Sequence, residues 1–289
     1  MWLVYCLLFC VSLYLPGLVL PRLRPYSLKG KHVLVTGGAN GIGAKMAEIA
    51  LSKGATVTSL DFREAETPIP GVTQFQCDIN NDKRVDEIIA QIEPVDVCIH
   101  NAGIVSGATV SEFTRSTVHR TIETNLTSPI VMAAKLVQQG KVGDNVHVFT
   151  SSASALCPPP RTVEYGASKA GIANAATALR AEFGYLGMKG CSIGILPYYI
   201  RTPLFEGVES WFIPIMEPET VARRVMAIVQ AQGNLSGGNY SIPWYLQYLV
   251  GVTAFLPRWL ETRLIHFLGI TRSMAEWTGR GKESHSHSL

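Results

Sequence analysis

The chain has 289 residues, of which 47% are hydrophobic and 16% charged, with a formal net charge of +3. That length suits one domain with extensions, and the charged share falls below the usual value of about 25%. Without a clustered Lys/Arg stripe, so weak a positive balance excludes a nucleic-acid binder.

From the N-terminus, residues 2–20 are almost wholly apolar, broken by Ser12 and by Pro16 and Gly17. These nineteen residues, at ~1.5 Å each, nearly match a hydrocarbon core of about 30 Å. No basic n-region or small-residue cleavage site precedes Pro21, so the stretch reads as an uncleaved membrane anchor. No Lys or Arg comes before it, whereas Arg22, Arg24, Lys29 and Lys31 follow, which places the main domain on the cytosolic face. Pro16 and Gly17 leave a kinked, monotopic insertion open. The expected division is an anchor over 1–21, an α/β domain over 22–243 and an extension over 244–289. The six cysteines (Cys6, Cys10, Cys77, Cys98, Cys157, Cys191) show no CxxC pair and read as reduced thiols. His285 and His287 sit in a polar tail with no partner ligands, so no metal is expected.

Residues 31–36 form an apolar strand ending in the turn Thr36-Gly37-Gly38-Ala39-Asn40-Gly41-Ile42-Gly43, after which Met46, Ile49, Ala50 and Leu51 recur at helical spacing. Strand, glycine loop and helix in this order build a dinucleotide cradle. Glycines admit the pyrophosphate, and the free N–H groups and dipole of the helix receive its charge. Gly37, Asn40, Gly41, Ile42 and Gly43 are its candidate residues. Residues 55–60 read as a second strand closed by Asp61, 18 residues past Gly43. A carboxylate there accepts from both ribose hydroxyls and repels a 2′-phosphate. NAD is therefore the expected cofactor and NADP the alternative, with Arg63 close enough to soften the choice.

Pro68 and Pro70 make the next connection a loop. A short strand over 74–77 precedes Asp78, an amphipathic helix covers 82–92, and a buried strand over 95–100 leads into Asn101, Ala102 and Gly103. Two helical segments fill 110–139, with Asn125 inside the second. A fifth strand over 146–150 ends at Ser151 and Ser152, a sixth over 191–196 runs into Pro197, and a helix over 218–232 precedes a last strand over 239–242. The alternation predicts an α/β fold, a doubly wound parallel sheet of the Rossmann type.

Tyr165 and Lys169 stand four residues apart at the head of a segment rich in alanine, leucine and phenylalanine. On a helix they share one face. A fixed positive charge beside a phenol pulls its pKa down from about 10, which makes Tyr165 a candidate proton donor or acceptor.

Taken together, Thr36-Gly37-x-x-x-Gly41-Ile42-Gly43, Asp78, Asn101-Ala102-Gly103, Asn125, Ser152 and Tyr165-x-x-x-Lys169 resemble the short-chain dehydrogenase/reductase family over residues 29–243. The resemblance implies an oxidoreductase in which Tyr165 exchanges a proton with the substrate oxygen and Ser152, 13 residues upstream, hydrogen-bonds that oxygen. It further implies that Lys169 holds the nicotinamide ribose, Asn125 keeps a water in the proton path, Asp78 lies near the adenine, and Asn101 lines the cofactor and steadies the central strand. One departure stands out. After the sixth strand the family reads Pro-Gly and then threonine, whereas this chain reads Pro197-Tyr198-Tyr199-Ile200-Arg201-Thr202. Thr202 keeps its role toward the carboxamide, while Tyr198 either alters the loop or narrows the pocket.

Residues 204–216 form a short stretch of large apolar side chains, read as a lid suited to an apolar alcohol or ketone such as a steroid, retinoid or other lipid. Beyond Pro243 the chain is apolar and aromatic, broken at Pro257, with Arg258, Arg263 and His266 interleaved. Such a segment suits a membrane interface, a cover over the substrate opening, or both. The tail from Ala275 is weakly similar to the ends of membrane-bound family members. The expected setting is a membrane-anchored enzyme of the endoplasmic reticulum or lipid droplet, facing the cytosol, and by resemblance a homodimer. Two rivals stand beside this reading: an NADPH-dependent ketosphinganine-type reductase and a non-catalytic nucleotide-binding scaffold.

Overall fold

A computed structural model describes residues 25–65, 67–231, 237–253 and 255–279. The apolar stretch 2–20, Cys6, Cys10 and the polar tail with His285 and His287 lie outside them. Among the described residues no helix is long and apolar enough to cross a membrane.

The described residues include seven strands: β1 (His32–Thr36), β2 (Thr56–Asp61), β3 (Val72–Gln76), β4 (Val95–His100), β5 (Val142–Thr150), β6 (Cys191–Pro197) and β7 (Gly237–Ile242). They form a single parallel sheet in the order β3-β2-β1-β4-β5-β6-β7. The central β1, with every residue buried, reads as a continuous apolar run because both faces of the sheet are covered. Val33 and Val35 pack with Met46 and Ala50 of α1 (Gly41–Ser52) and with Val221 and Val225 of α6 (Pro218–Ala231). Leu34 points to the other face, against Ile88 and Ile89 of α2 (Asp82–Gln91) and Leu136 of α4 (Ser128–Gln138). On that same side Phe149 of β5 packs against Ile172 and Ala176 of the long α5 (Val163–Tyr185).

Asn125 is not inside a regular helix. Helix α3 (Arg115–Ile122) runs into a π-turn, Glu123–Thr127, which holds Asn125 and hands on to α4. A π-turn widens the backbone by one residue and re-aims the side chain it carries. Strand β5 also starts earlier than the sequence pattern indicates, with an irregular register between Val95 and Val97. The link from β2 to β3 carries no helix, as the two prolines dictate.

Strand order reverses between β1 and β4, so the crevice beyond their carboxyl ends is where such sheets bind ligands. The glycine loop after β1, Asn101 after β4, Ser151 and Ser152 after β5, and Tyr198 to Thr202 after β6 all meet there. After β7 come α7 (Leu246–Thr253), α8 (Arg258–Phe267) and a returning strap over 268–279.

Candidate active site

The glycine loop is shaped as a cradle. Asn40 precedes α1 without a side-chain cap, and the first turn carries no acid, so the leading N–H groups face outward unpaid. A Cβ on Gly43 would overlap Gly37 O and stand 2.7 Å from Asn101 Nδ2. Gly41 has φ +60°, and a Cβ there would enter the space facing Thr202, 3.5 Å from its Cγ2. Asp61 closes β2 beside this loop: Oδ2 accepts from Ala39 N–H at 3.0 Å and Oδ1 from Arg63 N–H at 3.1 Å. Each oxygen keeps acceptor capacity. Asn101 ties the floor together, donating Nδ2–H to Thr36 O and Gly37 O, both at 3.2 Å, while its own N–H donates to Thr36 Oγ1 at 3.0 Å. Ala102 N–H shares that Thr36 hydroxyl at 3.1 Å. Asp78 is exposed and turns back to accept from Asn80 N–H at 3.0 Å. Ile42 sits in the first turn of α1, half-buried. A dinucleotide fits this set: small residues, open N–H groups and a carboxylate at the end of β2.

Tyr165 and Lys169 lie on the buried face of α5, each 4% exposed, with the ammonium 5.6 Å from the phenol ring centroid. Lys169 Nζ donates to Thr150 O at 2.7 Å. The added Cβ of Gly103 would stand 3.3 Å from that Nζ and 3.2 Å from Asn125 Oδ1, so the three groups converge. Ser152 Oγ accepts from Ser154 N–H at 3.1 Å and stands near enough to the Tyr165 phenol to lower its pKa. Ser151 faces elsewhere, donating to Lys169 O at 2.6 Å. Asn125 accepts from Ile104 N–H at 2.8 Å and donates to Ile104 O at 2.8 Å and Ser168 Oγ at 3.0 Å. Ser168 in turn donates to Tyr165 O at 2.7 Å.

The electrostatics reverse the expectation from spacing. Burial pushes the Tyr165 phenol up to about 12, and the Ser152 hydrogen bond only partly offsets it. Burial also pushes Lys169 down to about 8. Desolvation penalises the charged form of both groups, so the pair holds a protonated phenol beside an ammonium whose charge is weakly held.

Residues 31–212 match the family model for short chain dehydrogenases. The chain belongs to the short-chain dehydrogenase family. It is accordingly an NAD(P)-dependent oxidoreductase. Short-chain dehydrogenase/reductase 3 of Homo sapiens is 26% identical over 285 residues, 91% of each chain. The 3-dehydrosphinganine reductase TSC10B of Arabidopsis thaliana is 30% identical over 196 residues, 62% of this chain and 59% of its own. A short-chain dehydrogenase from Burkholderia cenocepacia, solved with NADP, superposes with a TM-score of 0.69 at 22% identity, covering 83% of this chain and 99% of its own.

This short-chain dehydrogenase has a cavity of about 210 Å³ opening beside Ser152. Tyr198, Tyr199, Phe205 and Ile213 wall one side, and Leu246, Leu249, Val250, Leu264 and Ile265 of α7 and α8, with Leu268 just past them, wall the other. Tyr198 has no left-handed backbone, so glycine is not required there. Its hydroxyl instead meets Ser210 Oγ of the lid at 2.9 Å, and its ring lines the pocket. The lid is a closed loop: Ile200 and Met216 bridge at its base, with Arg201 N–H donating to Met216 O at 2.9 Å. Sequence reasoning missed Trp277, which packs in one cluster with Tyr165, Tyr199 and Met274. The glycines that flank its docking site, Gly107 and Gly279, were the available signal.

Proposed function

We propose that this enzyme interconverts an alcohol and its carbonyl on an apolar lipid-like substrate, with Tyr165 as proton donor and NAD(H) as preferred cofactor. The observation that carries the reading is the cavity: a mainly aliphatic and aromatic chamber with Ser152 in its lining. A bound nicotinamide nucleotide supplies or accepts the hydride, and the glycine loop, Asp61, Asn101, Lys169 and Thr202 are the residues that would hold it. In reduction, a C–H bond forms at the carbonyl carbon as the C=O π pair moves to oxygen. Tyr165 then donates its proton to that oxygen while Ser152 O–H stabilises the developing charge. A phenol with a pKa near 12 is protonated at neutral pH and suited to this role. Oxidation of the alcohol runs the same transfers backwards and needs the phenolate, which a protonated Lys169 supports. Asn125 acts from behind, fixing Ile104 and Ser168 beneath Tyr165.

Incubating lipid extracts with enzyme and NAD⁺ or NADH, followed by mass spectrometry, should reveal one alcohol–carbonyl pair shifted by two hydrogens. Tyr165→Phe should abolish the conversion while nucleotide still binds. A Tyr165→Phe variant that turns over at the normal rate would end the reading. The aligned 3-dehydrosphinganine reductase supports a second reading, an NADPH-dependent reductase of a long-chain ketone. Tighter binding of NADPH than of NADH would favour it. The membrane setting belongs to the same proposal: α7, α8 and the residues flanking them expose Trp244, Tyr248, Phe255, Trp259 and Phe267 beside Arg258 and Arg263, a mixture suited to the headgroup region.

A further inference from the structure

The cavity wall has an outer layer that the proton-transfer groups do not explain. After α8 the chain turns at Gly269, packed on Trp211, and crosses back over the lid. Three hydrogen bonds lace strap and lid together. Glu209 N–H donates to Ser273 O at 3.0 Å, Thr278 N–H to Glu206 O at 3.0 Å, and Trp277 Nε1–H to Leu204 O at 3.1 Å. Trp277 is 1% exposed and the bulkiest fully buried side chain described. Its ring lies against Gly107, whose φ is +62° and where any Cβ would overlap the indole. Arg161 closes the third side: Nε–H donates to Gly107 O at 2.7 Å, and the guanidinium carbon stands 6.0 Å from the indole centroid. One indole thus joins the loop after β4, the turn before α5 and the lid.

All three elements border Tyr165. Phe205 lies between Leu204 and Glu206, the two lid residues whose carbonyls the strap holds. Its ring meets Tyr165 edge-on at 5.7 Å and Tyr199 at 5.6 Å. Tyr199 is itself held from the strap, its hydroxyl 2.9 Å from Ser273 Oγ. Phe205 and Tyr199 both line the cavity. Directed donors to lid carbonyls fix where the lid stands, which hydrophobic cover alone does not do, because apolar contact is non-directional.

We propose that Trp277 is a positioning residue for this reaction: by fixing Phe205 and Tyr199 against Tyr165, it sets which apolar substrates are held in line for hydride transfer. The proposal rests on the reading of Tyr165 as proton donor. Its test uses the full chain and a series of apolar alcohols of graded length, with Trp277→Ala, Trp277→Phe and Tyr165→Phe assayed in parallel. Trp277→Ala should lower kcat/KM by about tenfold or more, mainly through kcat, since a small misplacement of a bound substrate is enough for that. It should also flatten the preference among chain lengths, while nucleotide affinity stays unchanged. Trp277→Phe should recover part of the preference. Unaltered kcat and substrate ranking, with only a lower Tm, would overturn the proposal and leave Trp277 as packing. If Trp277→Ala does not fold, Arg161→Asn tests the same point, because asparagine tolerates the φ of +68° found there. A shifted substrate ranking supports the proposal and an unshifted one overturns it. Turnover by Tyr165→Phe would instead strike the phenol's role, and the proposal with it, whatever the Trp277 variants do.

Discussion

Asp61 spends one oxygen on Ala39 N–H and the other on Arg63 N–H, so its carboxylate is pinned at the end of β2, beside the glycine loop. A pinned anion there favours two ribose hydroxyls and opposes a 2′-phosphate. Asp61→Ala should therefore weaken NAD⁺ binding about tenfold or more, the worth of one or two charge-assisted hydrogen bonds, and improve NADP⁺ binding. Titration of both nucleotides against wild type and variant checks this, and a wild type that already prefers NADP⁺ would refute the assignment. At this scale the sequence is a good guide to identity and a poor one to electrostatics. Spacing and position after a strand single out Tyr165, Lys169 and Asp61, and the family resemblance singles out Ser152 from its serine neighbours. The sign of the Tyr165 shift was not legible, because spacing reports the neighbouring ammonium and says nothing of how completely both groups are dried. Burial dominates both shifts.

Strands and helices follow from the periodicity of their residues, and where periodicity fails the reason is local. The π-turn at Glu123–Thr127 looks helical in sequence, since nothing in its residues marks an extra one per turn; within it the Asn125 side chain donates to Ile104 O and Ser168 Oγ. Helices α7 and α8 posed a different question, because apolar residues lie on both their faces. The inner face (Leu246, Leu249, Val250, Leu264, Ile265) belongs to the cavity. Trp244, just before α7, and Trp259 on α8 are each about two-thirds exposed, at 63% and 62%, with Arg263 over the Trp259 ring at 5.6 Å. If these rings sit in the headgroup region, an apolar substrate leaves the bilayer beside the very helices that wall its binding cavity. Full-chain protein in vesicles with brominated acyl chains should then show quenched tryptophan emission, and Trp244→Phe with Trp259→Phe should remove part of the quenching. Quenching that is unchanged in the double variant would take these rings out of the membrane.

At the scale of the whole molecule, acid stability is set by a stack that needs strand order to be seen. Strands β4 and β5 are neighbours, pairing Cys98 with His147 and His100 with Phe149. The rings of His100, His147 and Phe149 stack in a layer closed by Phe183. His100 Nε2 lies 3.1 Å from His147 Nδ1, and His147 Nε2 lies 3.1 Å from Asn145 Oδ1. Cys98 Sγ approaches the opposite nitrogen of His100, at 3.9 Å, and the three side chains bring one sulfur and two ring nitrogens within 4.8 Å of one another. Burial pushes His147 down to about 4, and burial with the neighbouring ring holds His100 well below the usual histidine range. Both imidazoles are neutral in the fold and free to protonate in the unfolded chain, with a pKa of about 6.5. The stability they carry is therefore complete above that value and is lost as pH falls toward about 4, by roughly 3 kcal/mol for His147 alone. Urea midpoints measured from neutral pH down to about pH 4.5, above most carboxylate titrations, should fall steadily. His147→Gln keeps a hydrogen-bonding group between His100 and Asn145 but removes the proton site, so its midpoint should start lower and decline less. Parallel declines in the two proteins would show that acid unfolding is driven from elsewhere in the molecule.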